Sequence, residues 1–172
     1  MRFSFIVLTL LSLTACYTSS NDKDGRVISE KVSNILDQMT LAEKVGQMTQ
    51  VERKELDHIS DLATYNIGSL LSGGGSAPIP NTLDAWIKMY NEYQTISMQS
   101  SSGIPMIYGI DAVHGHSNVV GAVIVPHNIG LGATWNTELV EDLSKVVANE
   151  VAATGIDWTF APCIAVPQNE RW

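Results

Sequence analysis

The sequence is short of cysteine, of positive charge and of length, and each shortage removes a class of protein. Only two cysteines occur in its 172 residues, Cys16 and Cys163. Cys16 lies in an N-terminal segment treated separately below, so no intrachain disulfide is expected. Lys and Arg number 10 against 18 Asp and Glu, giving a formal net charge of −8. With no basic run to track a phosphate backbone, no nucleic acid partner is expected, and a strongly anionic substrate held by charge is disfavoured. There is no Gly-x-Ser-x-Gly, no phosphate loop and no Cys-x-x-Cys; Gly73-Gly74-Gly75 lacks the lysine and spacing of a nucleotide loop and reads as a turn. A complete (β/α)8 barrel takes about 250 residues, so any barrel in this chain is incomplete. What remains, 45% hydrophobic and 16% charged, has the balance of an ordinary globular domain.

The long apolar run that does occur is at the start. Met1-Arg2 precedes Phe3, Phe5, Ile6, Val7, Leu8, Leu10, Leu11 and Leu13, then Thr14-Ala15-Cys16 and a polar stretch ending at Gly25. A short positive start, an apolar core of about ten residues and small residues at its end describe an export signal, too short to span a membrane. Leu13-Thr14-Ala15-Cys16 looks like a bacterial lipoprotein box, in which cleavage leaves Cys16 as a lipid-bearing N-terminus. The competing reading is a plain signal peptide with an incidental cysteine. The expected organisation is a lipoprotein-type signal peptide over 1–15, a tether over 16–26 and a folded domain over 27–172. The implied location is the bacterial periplasm or outer membrane, with a membrane surface as partner through the lipid on Cys16.

Along the folded part, Val32, Ile35, Leu36 and Met39 recur at helical spacing, and Thr40 with Glu43 forms a capping box that opens a second helix. Ile67 to Leu71 predicts a short strand. Asn81 is the expected cap of a helix from Thr82 to about Met98, whose Trp86, Tyr90 and Tyr93 are read as core. Ile104 to Ile110 is apolar without alternation, as in a strand covered on both faces. Asn136 is expected to cap a helix through about Thr154, ended by Gly155, and Ile156 to Val166 predicts a further strand interrupted by Pro162. Such alternation of helix and strand calls for a mostly parallel sheet of about three strands.

Chemistry gathers behind the second of these strands. Asp111 directly follows it, where a buried charge is costly unless it meets donors or a ligand. An ionised carboxylate there can accept two directional bonds from a pair of sugar hydroxyls, or it can simply bond neighbouring backbone or His114. His114 and His116 form an H-x-H pair that could hold a divalent metal with further ligands. The alternative preferred here is a pair of neutral hydrogen-bonding groups that rigidify the loop. His127 reads as structural and His58 as solvent-facing. Arg171-Trp172 offers a donor fork beside an apolar platform, suited to a hydroxyl-rich ring, although a Glu170–Arg171 ion pair is a simpler account.

Six blocks taken together, Met39-Thr40-Leu41-Ala42-Glu43-Lys44-Val45-Gly46-Gln47-Met48, Gly68 to Gly74, Gly109-Ile110-Asp111-Ala112-Val113-His114-Gly115-His116, Pro126 to Thr134, Phe160 to Val166 and Arg171-Trp172, resemble the N-terminal part of glycoside hydrolase family 3. The resemblance is to its exo-acting β-glucan glucohydrolase and β-glucosidase branch; the Asp-Ala-Val-His-Gly-His block favours that branch over the N-acetylglucosaminidases. It implies an α/β fold, a partial (β/α)8 barrel with about the first three strands, belonging to a retaining glycosidase that releases glucose from the nonreducing ends of β-glucans or cello-oligosaccharides. It also implies that Asp111 and Arg171 bind hydroxyls of the nonreducing glucosyl unit and that no metal or cofactor is needed. The nucleophilic Asp and acid/base Glu are expected beyond Trp172, so that no catalytic carboxylate lies in this chain, which is then an inactive fragment with a bare sheet edge prone to aggregation. Two other classes remain open on the residues alone: a metal-dependent barrel hydrolase using His114 and His116, and a lipid-anchored sugar-binding module.

Overall fold

The computed structural model describes residues 23–163 and 168–171. The expected signal peptide, Cys16 and most of the tether, together with residues 164–167 and Trp172, lie outside the described residues. The chain divides after Gln38 into two units. In the first, helix α1 (Lys23–Gln38) opens inside the stretch expected to be a tether and carries the anticipated stripe of Val32, Ile35 and Leu36. Among the described residues no helix is long and apolar enough to cross a membrane.

The second unit begins with helix α2 (Leu41–Gln47), and the capping box forms as expected. The Thr40 backbone N–H donates to Glu43 Oε2 at 2.7 Å and the Glu43 N–H to Thr40 Oγ1 at 3.3 Å. Bonds from the Ser101 hydroxyl first, then from the Thr40 N–H and the Thr40 hydroxyl, hold the Glu43 carboxyl below its ordinary pKa. There follow strand β1 (Gln50–Glu52), a 3-10 turn (Arg53–Glu55), helix α3 (Asp61–Thr64), strand β2 (Ser69–Ser72), helix α4 (Leu83–Ser97), strand β3 (Ile107–Ile110), helices α5 (Asn128–Gly132) and α6 (Thr137–Ala153), and strand β4 (Trp158–Thr159).

The four strands form one parallel sheet in the order β1-β2-β3-β4. Chain order and spatial order coincide, so every crossover steps the same way. Crossovers of one hand then stack their helices on one face of the sheet, the arrangement of a (β/α)8 arc; a doubly wound sheet would reverse direction at a switch point. Register assigns the faces. Val51, Leu70 and Tyr108 align across β1, β2 and β3, and Leu70, Tyr108 and Ile110 are fully buried with Trp86 of α4. Tyr90 and Tyr93 pack on the Tyr108 ring at centroid distances of 6.2 and 6.1 Å. The opposite face carries Gln50, Ser69 and Ile107 in register, and Ile107 is 51% exposed there.

The α/β class and parallel sheet agree with the sequence reading, but β1 adds a strand to the expected count of about three. It spans three residues behind a helix and offers a single branched apolar side chain, Val51, too little to show a period. The cap of α4 also differs. Thr82 accepts from the Ala85 N–H, whereas Asn81 turns to other partners described below. Asn136 caps α6 as expected.

Two glycines fix how α2 meets the sheet. The Gly68 N–H donates to Gly46 O at 3.0 Å, which brings two backbones into direct contact. A Cβ on Gly46 would run into the carbonyl oxygen of Tyr65, and one on Gly68 into that of Gln47.

Candidate active site

The carboxyl ends of the four strands open on one side, the side on which barrels carry their working groups. Three loops meet there, and the first is braced by the turn that follows β1. Arg53 donates from Nε to Ser76 O at 2.6 Å and from Nη2 to Ala77 O at 2.7 Å, while Lys54 Nζ reaches Gly75 O at 2.6 Å. Glu52 closes the brace by accepting from the Lys54 N–H at 2.6 Å and from the Ser76 hydroxyl. Burial works to raise the Glu52 pKa, but the bonds from Ser76, Lys54 and Gly73 and the charge of Arg53 outweigh it, and the carboxyl titrates below its ordinary value. The loop after β2 is a turn, as expected: the Ser76 N–H donates to Gly73 O at 3.1 Å. It is tied by three side chains that the sequence did not single out. Below it the Ser72 hydroxyl and Tyr108 hydroxyl sit 2.7 Å apart, and burial pushes the Tyr108 phenol far above its ordinary pKa.

Asp111 follows β3 directly. It is exposed, so the penalty for a buried strand-end charge does not arise, and among the described residues no hydrogen bond reaches its carboxylate; the simpler accounts through backbone or His114 are not what forms. Its backbone carbonyl accepts from Asn118 Nδ2 at 3.0 Å. Arg171 is also exposed, and its backbone N–H donates to Asn169 Oδ1 at 3.0 Å; among the described residues it has no other hydrogen bond. Among the described residues no ion pair links it to Asp111 or to Glu170.

The two histidines behind Asp111 serve the loop separately. His114 Nδ1 lies 3.3 Å from Val125 O, and its ring meets that of His127 edge-on at 5.2 Å. His116 is fully buried beside Trp86, with Nε2 at 3.1 Å from Thr154 Oγ1. Because the Thr154 hydroxyl donates to Val151 O at 2.6 Å, it accepts from His116, which places the ring proton on Nε2. Burial drives the His116 pKa down against the opposing pull of Glu150, keeping the ring neutral. Both histidines therefore rigidify the loop, and among the described residues no three His, Cys, Asp or Glu side chains gather into a metal donor set. His58 is exposed, as anticipated.

A cavity of about 240 Å³ lies against the loop that follows Asp111, lined mostly by apolar groups such as Ala112, Val113, Val125, Val147 and Pro162. Its apolar walls suit packing rather than a hydroxyl-rich ligand. Of the strand-end carboxylates, Glu52 has both oxygens taken up by donors, whereas among the described residues neither oxygen of Asp111 is bonded.

Comparison with known proteins gives this geometry a lineage. The Lysosomal beta glucosidase of Dictyostelium discoideum is 36% identical over 158 residues, covering 82% of this chain and 19% of that protein. The Periplasmic beta-glucosidase of Salmonella typhimurium is 28% identical over 141 residues, covering 82% of this chain and 17% of that protein. Among solved structures, the exo-1,3/1,4-beta-glucanase from a Pseudoalteromonas species superposes with a TM-score of 0.76 at 41% identity, over 85% of this chain and 19% of its own. The chain thus spans about a fifth of the length of these relatives. The model of the glycosyl hydrolase family 3 N terminal domain matches residues 40–172, from the capping threonine of α2 onward, and on that match the chain belongs to glycoside hydrolase family 3.

Proposed function

We propose that this chain is the substrate-gripping N-terminal part of a retaining exo-acting β-glucosidase or β-glucan glucohydrolase, in which Asp111 and Arg171 hold hydroxyls of the nonreducing glucosyl unit. One observation carries the reading: an exposed carboxylate at the carboxyl end of β3, unbonded among the described residues, in a sheet arc shared with a 41%-identical exo-1,3/1,4-beta-glucanase. Retaining hydrolysis needs two carboxyl groups about 5 Å apart, one as nucleophile and one as acid/base. Neither role is given to Asp111; both belong to residues outside this chain, in a longer polypeptide. Residues 27–172 then form the first strands of the barrel and need no metal or cofactor. Incubated with an aryl β-glucoside, the longer polypeptide releases glucose in the β configuration, and purified residues 16–172 release nothing above a boiled control. Release by residues 16–172 alone overturns the assignment of the catalytic carboxylates.

The proposal extends to location. Residues 1–15 act as a lipoprotein signal and Cys16 carries the lipid, with the rest of 16–26 leading into the fold, so the protein sits on a periplasmic or outer-membrane surface. The string Leu13-Thr14-Ala15-Cys16 supports this, as do relatives named periplasmic. Cys16→Ser moves the protein from the membrane to the soluble fraction; unchanged membrane fractionation rules lipidation out.

A further inference from the structure

We propose that Asn118 and Asn81 are positioning residues for Asp111, and that they hold it by its backbone. The inference rests on the reading of Asp111 as the acceptor of sugar hydroxyls. Three hydrogen bonds run in one direction from the core to the strand end. Trp86 Nε1 donates to Asn81 Oδ1 at 2.7 Å, Asn81 Nδ2 donates to Asn118 O at 2.8 Å, and Asn118 Nδ2 donates to Asp111 O at 3.0 Å. The origin is rigid, because Trp86 is fully buried in α4. The terminus is the point at which the sheet lets go: Ile110 O still accepts from the Phe160 N–H at 3.1 Å, and the next carbonyl along the chain is that of Asp111.

The amide chemistry of both residues suits the links. Asn81 must accept from the indole with one end and donate with the other, and Asn118 must donate to a carbonyl, which a carboxylate cannot do. With no hydrogen bond to the Asp111 carboxylate among the described residues, its position depends on the backbone that carries it. A carboxylate that must meet two hydroxyls in a fixed geometry loses effectiveness when displaced by even about 1 Å. The relay therefore matters to the reaction through Asp111 and not merely to the loop after β3.

A double-mutant cycle in the longer polypeptide, read as kcat/KM on an aryl β-glucoside, tests this. Asn118→Ala lowers kcat/KM roughly tenfold, the weight of one hydrogen bond that orients a charged group. In an Asp111→Ala background the same substitution costs less than about twofold, since the residue it positions is gone. Asn81→Asp keeps the acceptor for Trp86 but loses the donor to Asn118, so it gives a loss of about threefold or more that likewise vanishes in the Asp111→Ala background. Equal losses in both backgrounds, or no loss in the parent, overturn the inference. Should Asn118→Ala fail to fold, Asn81→Asp carries the cycle by itself. An Asp111→Ala variant of undiminished kcat/KM overturns the reading of Asp111 first, and the relay with it; a large Asp111→Ala effect with additive Asn118→Ala overturns the relay alone.

Discussion

Replacing Asp111 by Ala in the longer polypeptide lowers kcat/KM for an aryl β-glucoside by about 10²–10⁴-fold while the fold survives. The magnitude comes from what an ionised carboxylate does for two hydroxyls: each charge-assisted hydrogen bond contributes about 1.5–3 kcal/mol, and two of them account for a loss of that order. Survival of the fold follows from the side chain itself, which is exposed and bonds no other group among the described residues. How the loss divides between KM and kcat says when the contacts act. A fall confined to KM means that they hold the ground state and the transition state alike. A fall in kcat means that they tighten as the sugar ring flattens toward an oxocarbenium-like geometry. Asp111→Asn keeps the shape and one acceptor oxygen but not the charge, so it falls between parent and Ala variant. Initial rates over a range of substrate concentration give both constants, and a loss under about threefold for the Ala variant removes Asp111 from the sugar site.

The largest effect on stability belongs to two glycines. Gly46→Ala and Gly68→Ala each drive a methyl group into a backbone carbonyl, of Tyr65 and of Gln47 respectively. Neither oxygen can rotate aside as a side chain would, so α2 must lift away from the turn before β2, breaking the Gly68–Gly46 hydrogen bond. The cost stands at the upper end of overpacking, about 3 kcal/mol or more, a large part of a domain's net stability of roughly 5–15 kcal/mol. Thermal unfolding then shifts down by roughly 10 °C. Gly74→Ala supplies the contrast: open space surrounds that position, and its melting temperature stays within about 2 °C of the parent. A Gly46→Ala protein that melts with the parent removes the close approach as a determinant of the fold.

That contrast shows what sequence patterning can and cannot carry. The Gly73-Gly74-Gly75 cluster reads as a turn and forms one, and a Cβ added at Gly74 or Gly75 would meet nothing within 4 Å. The close backbone approach is made by isolated glycines, Gly46 within a helix and Gly68 before a strand, where no local pattern marks a partner 22 residues away in the chain. Capping is legible because it is local: Thr40 with Glu43, and Asn136, cap as the sequence predicts. Asn81 departs from its expected capping role for the converse reason, since its partners, Trp86 aside, come from a loop far along the chain. The same division runs through the site. Asp111 is visible as the first polar residue after an apolar strand. The brace of Glu52, Arg53 and Lys54 on the β2 loop joins segments more than 20 residues apart and has no signature along the sequence. Resemblance to a family supplies what periodicity cannot, because it reads blocks whose spacing already encodes the distant contacts.

The order β1-β2-β3-β4 bears on how such a chain is made. A strand that pairs only with its immediate predecessor needs nothing that the ribosome has yet to synthesise, so the sheet can lengthen from its N-terminal side as the polypeptide emerges. Each pairing closes a single crossover and not a span of several strands, which limits the loop entropy lost at each step. At each stage the outermost strand offers an open ladder to the next segment of the same chain, and equally to a strand of another molecule. Efficient assembly therefore depends on the following strand arriving before a neighbouring chain does, which makes the rate at which successive segments become available part of the folding of this domain.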